Sequence, residues 1–267
     1  MRDTMWRCEF LLLAVGALAS PVLAADKVFS VDANDTEFDM TGVRHLLLLD
    51  TAYPRPLNDT GITWGGNFPS GNNTTCASNI NASQDCHQGM DATHNDNSDG
   101  HAGFSFTKLD ANGNSLPASS ATWSCMRDNV TGLVWEGKTD DGGIHDKDNT
   151  YKWGGKTALG TGYGTYYSDW DALVDGSNSQ RLCGFSDWRV PTRGELQGLV
   201  HYGRTNPAID TGYFPNTLAS GFWSASPSAS SSGNAWYFRF SIGTVNDDGY
   251  YGDRDYALHV RLVRSGQ

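Results

Sequence analysis

In the stretch LCGFSDWRVPTRGELQGLVHY at 182–202, Leu196, Leu199 and Val200 recur at helical spacing behind Thr192 and Glu195. A threonine followed three residues later by glutamate is a capping box, in which each side chain satisfies the other residue's backbone amide. The spacing predicts a helix over 193–202 with Leu196 and Leu199 facing inward. A second helix, over 168–174, follows from Ser168 and Asp171 as a capping pair with Trp170, Leu173 and Val174 on one face. Elsewhere the period is two. Residues 104–109 read as a strand running into Asp110-Ala111-Asn112-Gly113-Asn114, where Asn-Gly supplies the positive φ of a tight turn. Residues 131–136 are a second strand. Beyond Pro207, Trp236, Phe238 and Phe240 alternate, and Leu258, Val260 and Leu262 alternate with Ala257, His259 and Arg261, which predicts two more strands. Residues 57–103 are dominated by Asn, Asp, Gly and Ser, the residues of turns and loops. Two short helices framed by short antiparallel strands and long loops make an α+β domain.

The N-terminal residues are organised differently. Arg2 and Arg7 precede an apolar run over 10–18 and then Val22-Leu23-Ala24, the pattern of a signal peptide cleaved after Ala24. That run is too short to span a bilayer. The reading is therefore a signal peptide at 1–24, an acidic arm at 25–56 whose apolar run 46–49 is too short to assign, and one domain at 57–267. Export places the chain outside the cytoplasm, in the periplasm, at the cell surface or beyond, and gives meaning to the cysteines. Cys8 leaves with the leader, while Cys76, Cys86, Cys125 and Cys183 remain in an oxidising compartment. Three pairings are open to four cysteines; local proximity favours Cys76–Cys86, which leaves Cys125–Cys183.

Charge narrows the partners. A formal net charge of -11 disfavours nucleic acid or an anionic membrane surface, both of which require a basic field. Arg181, Arg189, Arg193 and Arg204 could still gather into a local basic patch.

Catalytic chemistry finds little support. No G-x-S-x-G elbow is present, and the four mature cysteines are better used as disulfides. No cofactor is called for. Calcium is the one ion with ligands on offer, in the oxygen-rich loop carrying Asp140, Asp141, Asp146 and Asp148, yet the plainer reading is a solvated acidic turn. In NDNSDG at 95–100, Asn95 replaces the first aspartate of an EF-hand loop and Phe106 stands where its bidentate glutamate belongs. His87, His94 and His101 recur every seven residues, but no helix aligns them. Most of the tryptophans read as core.

The segment 224–256 is built of Ser, Gly, Asn, Asp and Tyr around the strand WYFRF, the palette of antibody binding loops. Tyr237, Asn246, Tyr250, Tyr251, Asp253 and Tyr256 are the expected ligand contacts. The partner class is a cell-surface protein or glycan. Two other readings stand beside this one: a metal-dependent hydrolase using the loop 140–148, and a structural component of an outer-surface assembly.

Five motifs in order, TGLVWE at 131–136, the 182–202 stretch, PAIDTGYFPNT at 207–217, FWSAS at 222–226 and YALHVRLVRSGQ at 256–267, resemble one family. It is the secreted bacterial domain named after the C-terminal domain of the Legionella collagen-like adhesin, and the resemblance runs over about 57–267. It implies a C-type-lectin-like fold, with terminal strands paired and a loop-rich half presenting the ligand surface, and an adhesin-like domain without catalytic activity. The EPN and WND signatures of calcium-dependent sugar-binding lectins are absent, so that mode of glycan recognition does not carry over. The family's namesake resembles a binder of sulfated polysaccharides, but 224–256 sets only Arg239 and Arg254 against Asp247, Asp248, Asp253 and Asp255.

Overall fold

The computed structural model describes residues 57–67, 71–73, 76, 83–90, 98–160, 169–247 and 249–266. The leader, the arm, His94, Asn95 and Ser168 lie outside the described residues. In chain order the strands are β1 (Gly65–Asn67), β2 (Gly71–Asn73), β3 (Phe106–Leu109), β4 (Cys125–Asp128), β5 (Leu133–Glu136), β6 (Gly221–Pro227), β7 (Ala235–Arg239), β8 (Thr244–Asn246) and β9 (Val263–Ser265). The helices are α1 (Asp85–Gln88), α2 (Asp171–Ser179), α3 (Arg193–Gln197) and α4 (Gly249–Gly252). All strand pairs are antiparallel: a β1-β2 ribbon, a four-stranded sheet β3-β4-β5-β9 and a three-stranded sheet β6-β7-β8. The expected α+β class is what the chain adopts.

The four-stranded sheet is packed on both faces, which explains why its sequence lacks a clean polar alternation, whereas β8 at the edge of the three-stranded sheet is only half-buried. On the four-stranded sheet, Leu109, Cys125 and Val134 join a core holding Trp153, Trp170, Trp188 and Trp223. Phe106, Met126, Leu133, Trp135 and Val263 join a second core with Leu196, Leu199, Phe214 and Phe238. The three-stranded sheet does the same: Trp223 and Tyr237 enter the first core, Phe222 and Phe238 the second. Indole N–H groups then fasten the loops to the first core. Trp153 donates to the Ser224 carbonyl at 2.7 Å, Trp170 to Lys156, Trp188 to Leu182 and Trp223 to Tyr151. A buried tryptophan supplies both apolar area and a donor that must be satisfied, so each ties a long connection to a fixed point.

The capped helix forms with its box complete, Glu195 N–H donating to Thr192 Oγ1 and the Thr192 amide to the Glu195 carboxylate. It stops at Gln197, five residues short of the expected end. Gly198 is a poor helix former, and Leu199 and Val200 continue into the second core from a turn. The other helix begins three residues later than expected and runs five further. Trp170 is its N-cap and makes no side-chain cap; the Asp171 carboxylate instead accepts from the Lys156 amide at 2.5 Å. Ser177 prolongs the inward stripe of Trp170, Leu173 and Val174 by donating to the Leu173 carbonyl at 2.6 Å. The strand expected from the alternation at 257–262 is also corrected. Leu258 bridges Tyr151 and His259 bridges Phe222, singly, and regular pairing begins only at β9.

Both disulfides are formed, Cys76–Cys86 and Cys125–Cys183. The second joins β4 to the turn that leads into Trp188. Asp187 and Arg189, on either side of that tryptophan, pair with Arg264 and Glu195.

Candidate functional site

β7 and β8 set Tyr237 opposite Asn246 and Arg239 opposite Thr244, and the chain then turns through α4. The return is tight. A side chain on Gly252 would come within 2.6 Å of the Asp247 carbonyl, so the position needs glycine, and a backbone bridge joins Asp253 to Asn234. This places aromatic rings in a series from core to solvent. Trp223 and Tyr237 meet edge to face at 6.0 Å, Tyr237 and Tyr251 lie 6.4 Å apart, and Tyr251 meets Tyr256 edge to face at 4.9 Å. The Arg239 guanidinium sits 5.5 Å from the Tyr251 ring.

Exposure divides these residues by role. Tyr251 is 41% exposed and Tyr237 only 4%. Tyr237 is therefore a core residue that supports the exposed ring from beneath, and Tyr256 is half-buried against the first core. Asn246 donates to Thr244 Oγ1 at 3.3 Å. Asp253 is exposed and accepts from the Asp255 amide at 2.9 Å, closing a turn. The side chain of Tyr250 lies outside the described residues. Arg239 was not among the expected contacts, although it follows Tyr237 at strand spacing. Arg254 does not face outward: it is buried over Trp153, with its Nε donating to the Asn234 carbonyl at 3.0 Å.

The acidic loop organises itself around protein donors. Asp146 is buried and accepts from the amides of Asp141, Gly142 and Asp148. Lys147 Nζ lies 2.7 Å from Asp140 and 2.9 Å from Asp148, bridging the two exposed carboxylates. Carboxylate oxygens of Asp140, Asp146 and Asp148 lie within 4.8 Å of one another, so a cation there would compete with an ammonium already in place.

Of the three spaced histidines, His87 and His101 are described and lie in different surroundings. His87 is on α1 beside a cystine. His101 Nδ1 is 2.8 Å from Nε2 of His201, a residue 100 positions away. His201 is buried, and burial, with Arg204 and His101 nearby, pulls its pKa down to about 4. Of the four arginines of the expected patch, two are held by carboxylates, while exposed Arg181 bonds only the Gly184 carbonyl among the described residues. Arg189 is fixed on Glu195, Arg204 on Asp210, and Arg193 lies over Trp236.

Residues 124–264 match the model of the Lcl C-terminal domain, more than half of the chain. The chain belongs to the Lcl C-terminal domain family. This is an adhesin-associated domain, as the ordered motifs implied. The Lcl C-terminal match starts at the threshold of β4 and ends inside β9. It contains Cys125–Cys183, the capped helix and the whole tyrosine series, and leaves out Cys76–Cys86 and β1 to β3. No curated protein matches the sequence significantly. Among the described residues, no helix is long and apolar enough to cross a membrane.

Proposed function

We propose that this Lcl C-terminal domain is an exported, non-catalytic binding module of lectin-like fold, and that it recognises a cell-surface protein or glycan through the face built by β7, β8 and α4. The observation that carries the reading is the exposed Tyr251 ring, held between Tyr256 and Arg239 above the buried Tyr237. A large amphipathic ring whose rotamer is fixed by its neighbours binds with little loss of side-chain entropy, and such residues dominate binding energy at interfaces. Asn246 and Asp253 flank it with polar groups.

The test is a glycan and surface-protein array probed with the wild-type domain and with Tyr251→Ala. The reading expects a ligand whose signal the substitution removes while the melting temperature stays within a degree or two. A ligand bound equally well by both would put the site elsewhere.

A further inference from the structure

A cleft of about 250 Å³ opens between the β3-β4 connection and the segment 213–216. Trp123, Tyr213 and Phe214 line it together with the polar Thr139 and Asn216 and the buried cations Lys138 and Arg261. No aspartate or glutamate is among the described residues lining it. In a chain with 30 acidic and 19 basic residues, that selection of two cations and no carboxylate sets the cleft apart.

The cations are built in. Arg261 is 1% exposed and donates to the Glu136 carbonyl at 2.6 Å and to Thr217 Oγ1 at 2.7 Å, while its buried Nε has no partner among the described residues. Lys138 Nζ is 3.0 Å from Glu136, but that carboxylate is divided: the same oxygen receives His145 Nδ1 at 2.8 Å, and the other accepts the Leu262 amide at 2.7 Å. Buried Asp146 also acts on Lys138, so Glu136 and Asp146 stand against Lys138 and Arg261, and the Arg261 Nε is the donor left unmatched among the described residues. Lys108 sits 3.7 Å from the Trp123 ring centroid and donates to the carbonyls of Ala118 and Ser120, with the Asp210 carboxylate acting on it from further away. The indole is itself fixed, Nε1 donating to the Tyr213 carbonyl at 3.0 Å. An unsatisfied guanidinium N–H in a partly desolvated recess lined by no carboxylate favours an anionic acceptor.

We infer that this cleft is a second ligand site, distinct from the tyrosine face, for a small ring compound carrying one carboxylate, with the ring against Trp123 and Tyr213 and the carboxylate toward Lys138 and Arg261. The size argues for a single ring, since the volume falls below the ~300–1,000 Å³ of pockets that take drug-sized ligands. A wider depression of about 470 Å³ shares Ala121, Thr122 and Trp123 with the cleft, so a substituent on the ring has room to extend there.

Methyl β-glucuronide and its neutral counterpart methyl β-glucoside make the test, titrated into the full mature domain by isothermal calorimetry and by NMR of the tryptophan indole N–H signals. The expected result is glucuronide binding at least tenfold tighter than glucoside, weakening with added salt and shifting the Trp123 signal. Thr122→Trp, an exposed rim position, closes the cleft without touching the core and is expected to reduce glucuronide affinity at least tenfold. Arg261→Met is expected to do the same if circular dichroism shows it folded; Thr122→Trp decides alone if it is not. Equal binding of the two sugars, no binding of glucuronide at 20 mM, or full binding by Thr122→Trp would each overturn the inference. Because Tyr251→Ala leaves this cleft intact, failure here and failure of the tyrosine face are read separately.

Discussion

At the scale of single residues, composition marks a segment and does not sort its members. Serine, glycine, asparagine and tyrosine mark 224–256 as a binding palette, but Tyr237 is 4% exposed and Tyr251 41%. The difference arises from partners far apart in sequence, Trp223 beneath one ring and solvent above the other, which no local pattern encodes. The two halves of the series therefore respond differently to truncation. Tyr251→Ala is expected to weaken binding of an identified ligand by at least tenfold, in the hot-spot range of about 2 kcal/mol, with an unchanged melt. Tyr256→Ala is expected to cost roughly 2 kcal/mol of stability, less than the ~3–5 of a fully buried aromatic. Leu196→Ala and Leu199→Ala, each 1% exposed in the second core, should each cost about 2–5 kcal/mol. Chemical denaturation measures all four, and a leucine variant as stable as wild type would refute the packing assigned to it.

At the scale of elements, what was legible depended on whether the determinant was local. The capping box is written in four consecutive residues and formed as read. Thr192→Ala should cost about 1 kcal/mol, visible as a lower denaturation midpoint. The helix end was not legible, because Leu199 and Val200 keep helical spacing while being drawn inward from a turn. The alternation at 257–262 misled for a related reason: both sides of that segment are buried, so pleat-like periodicity survives without a strand partner. Cys125–Cys183 was inferred by eliminating the nearer pair, and it spans 58 positions. Replacing both cysteines with alanine should cost about 4 kcal/mol on the loop-entropy model. The aromatic cleft was invisible in the sequence, since its lining comes from 121–123, 126, 137–139, 213–216 and 261.

At the scale of the whole molecule, charge and protonation set the working range. Burial raises the Glu136 pKa, but Lys138 and His145 outweigh it and hold the carboxyl at about 2. A folded-state pKa below the unfolded one gives stability that is present above about pH 4.3 and is lost as pH falls toward 2. His201, at about 4, also titrates below its unfolded value, so its contribution is complete above about pH 6.5 and is lost between there and 4. Asp128 acts in the opposite sense, since burial raises its pKa and favours the protonated form. The expected outcome is a melting temperature that declines from pH 6.5 downward, and His201→Asn should flatten the first part of that decline; an unchanged profile would show that His201 is not responsible. The net charge of -11, with Arg189 and Arg204 neutralised by carboxylates, predicts weak or no heparin binding at physiological salt. Retention on a heparin column above about 0.3 M salt would refute it. A single carboxylate in a cleft makes no such demand for an extended basic field.

The pairing of β9 with β5 has a consequence in time. Leu133 finds its partner at Ser265, so the four-stranded sheet cannot close until more than a hundred further residues have been synthesised. Such distant pairing is slow to form. Until then Trp135 and Val134 lack their neighbour, Glu136 lacks the Leu262 amide, and the chain has no reason to commit to its final shape. A ribosome stalled before Val263 would carry a polypeptide still threadable through a narrow translocation pore. A gene truncated at the same point would give an unfolded chain exposed to proteases rather than a slightly shorter domain.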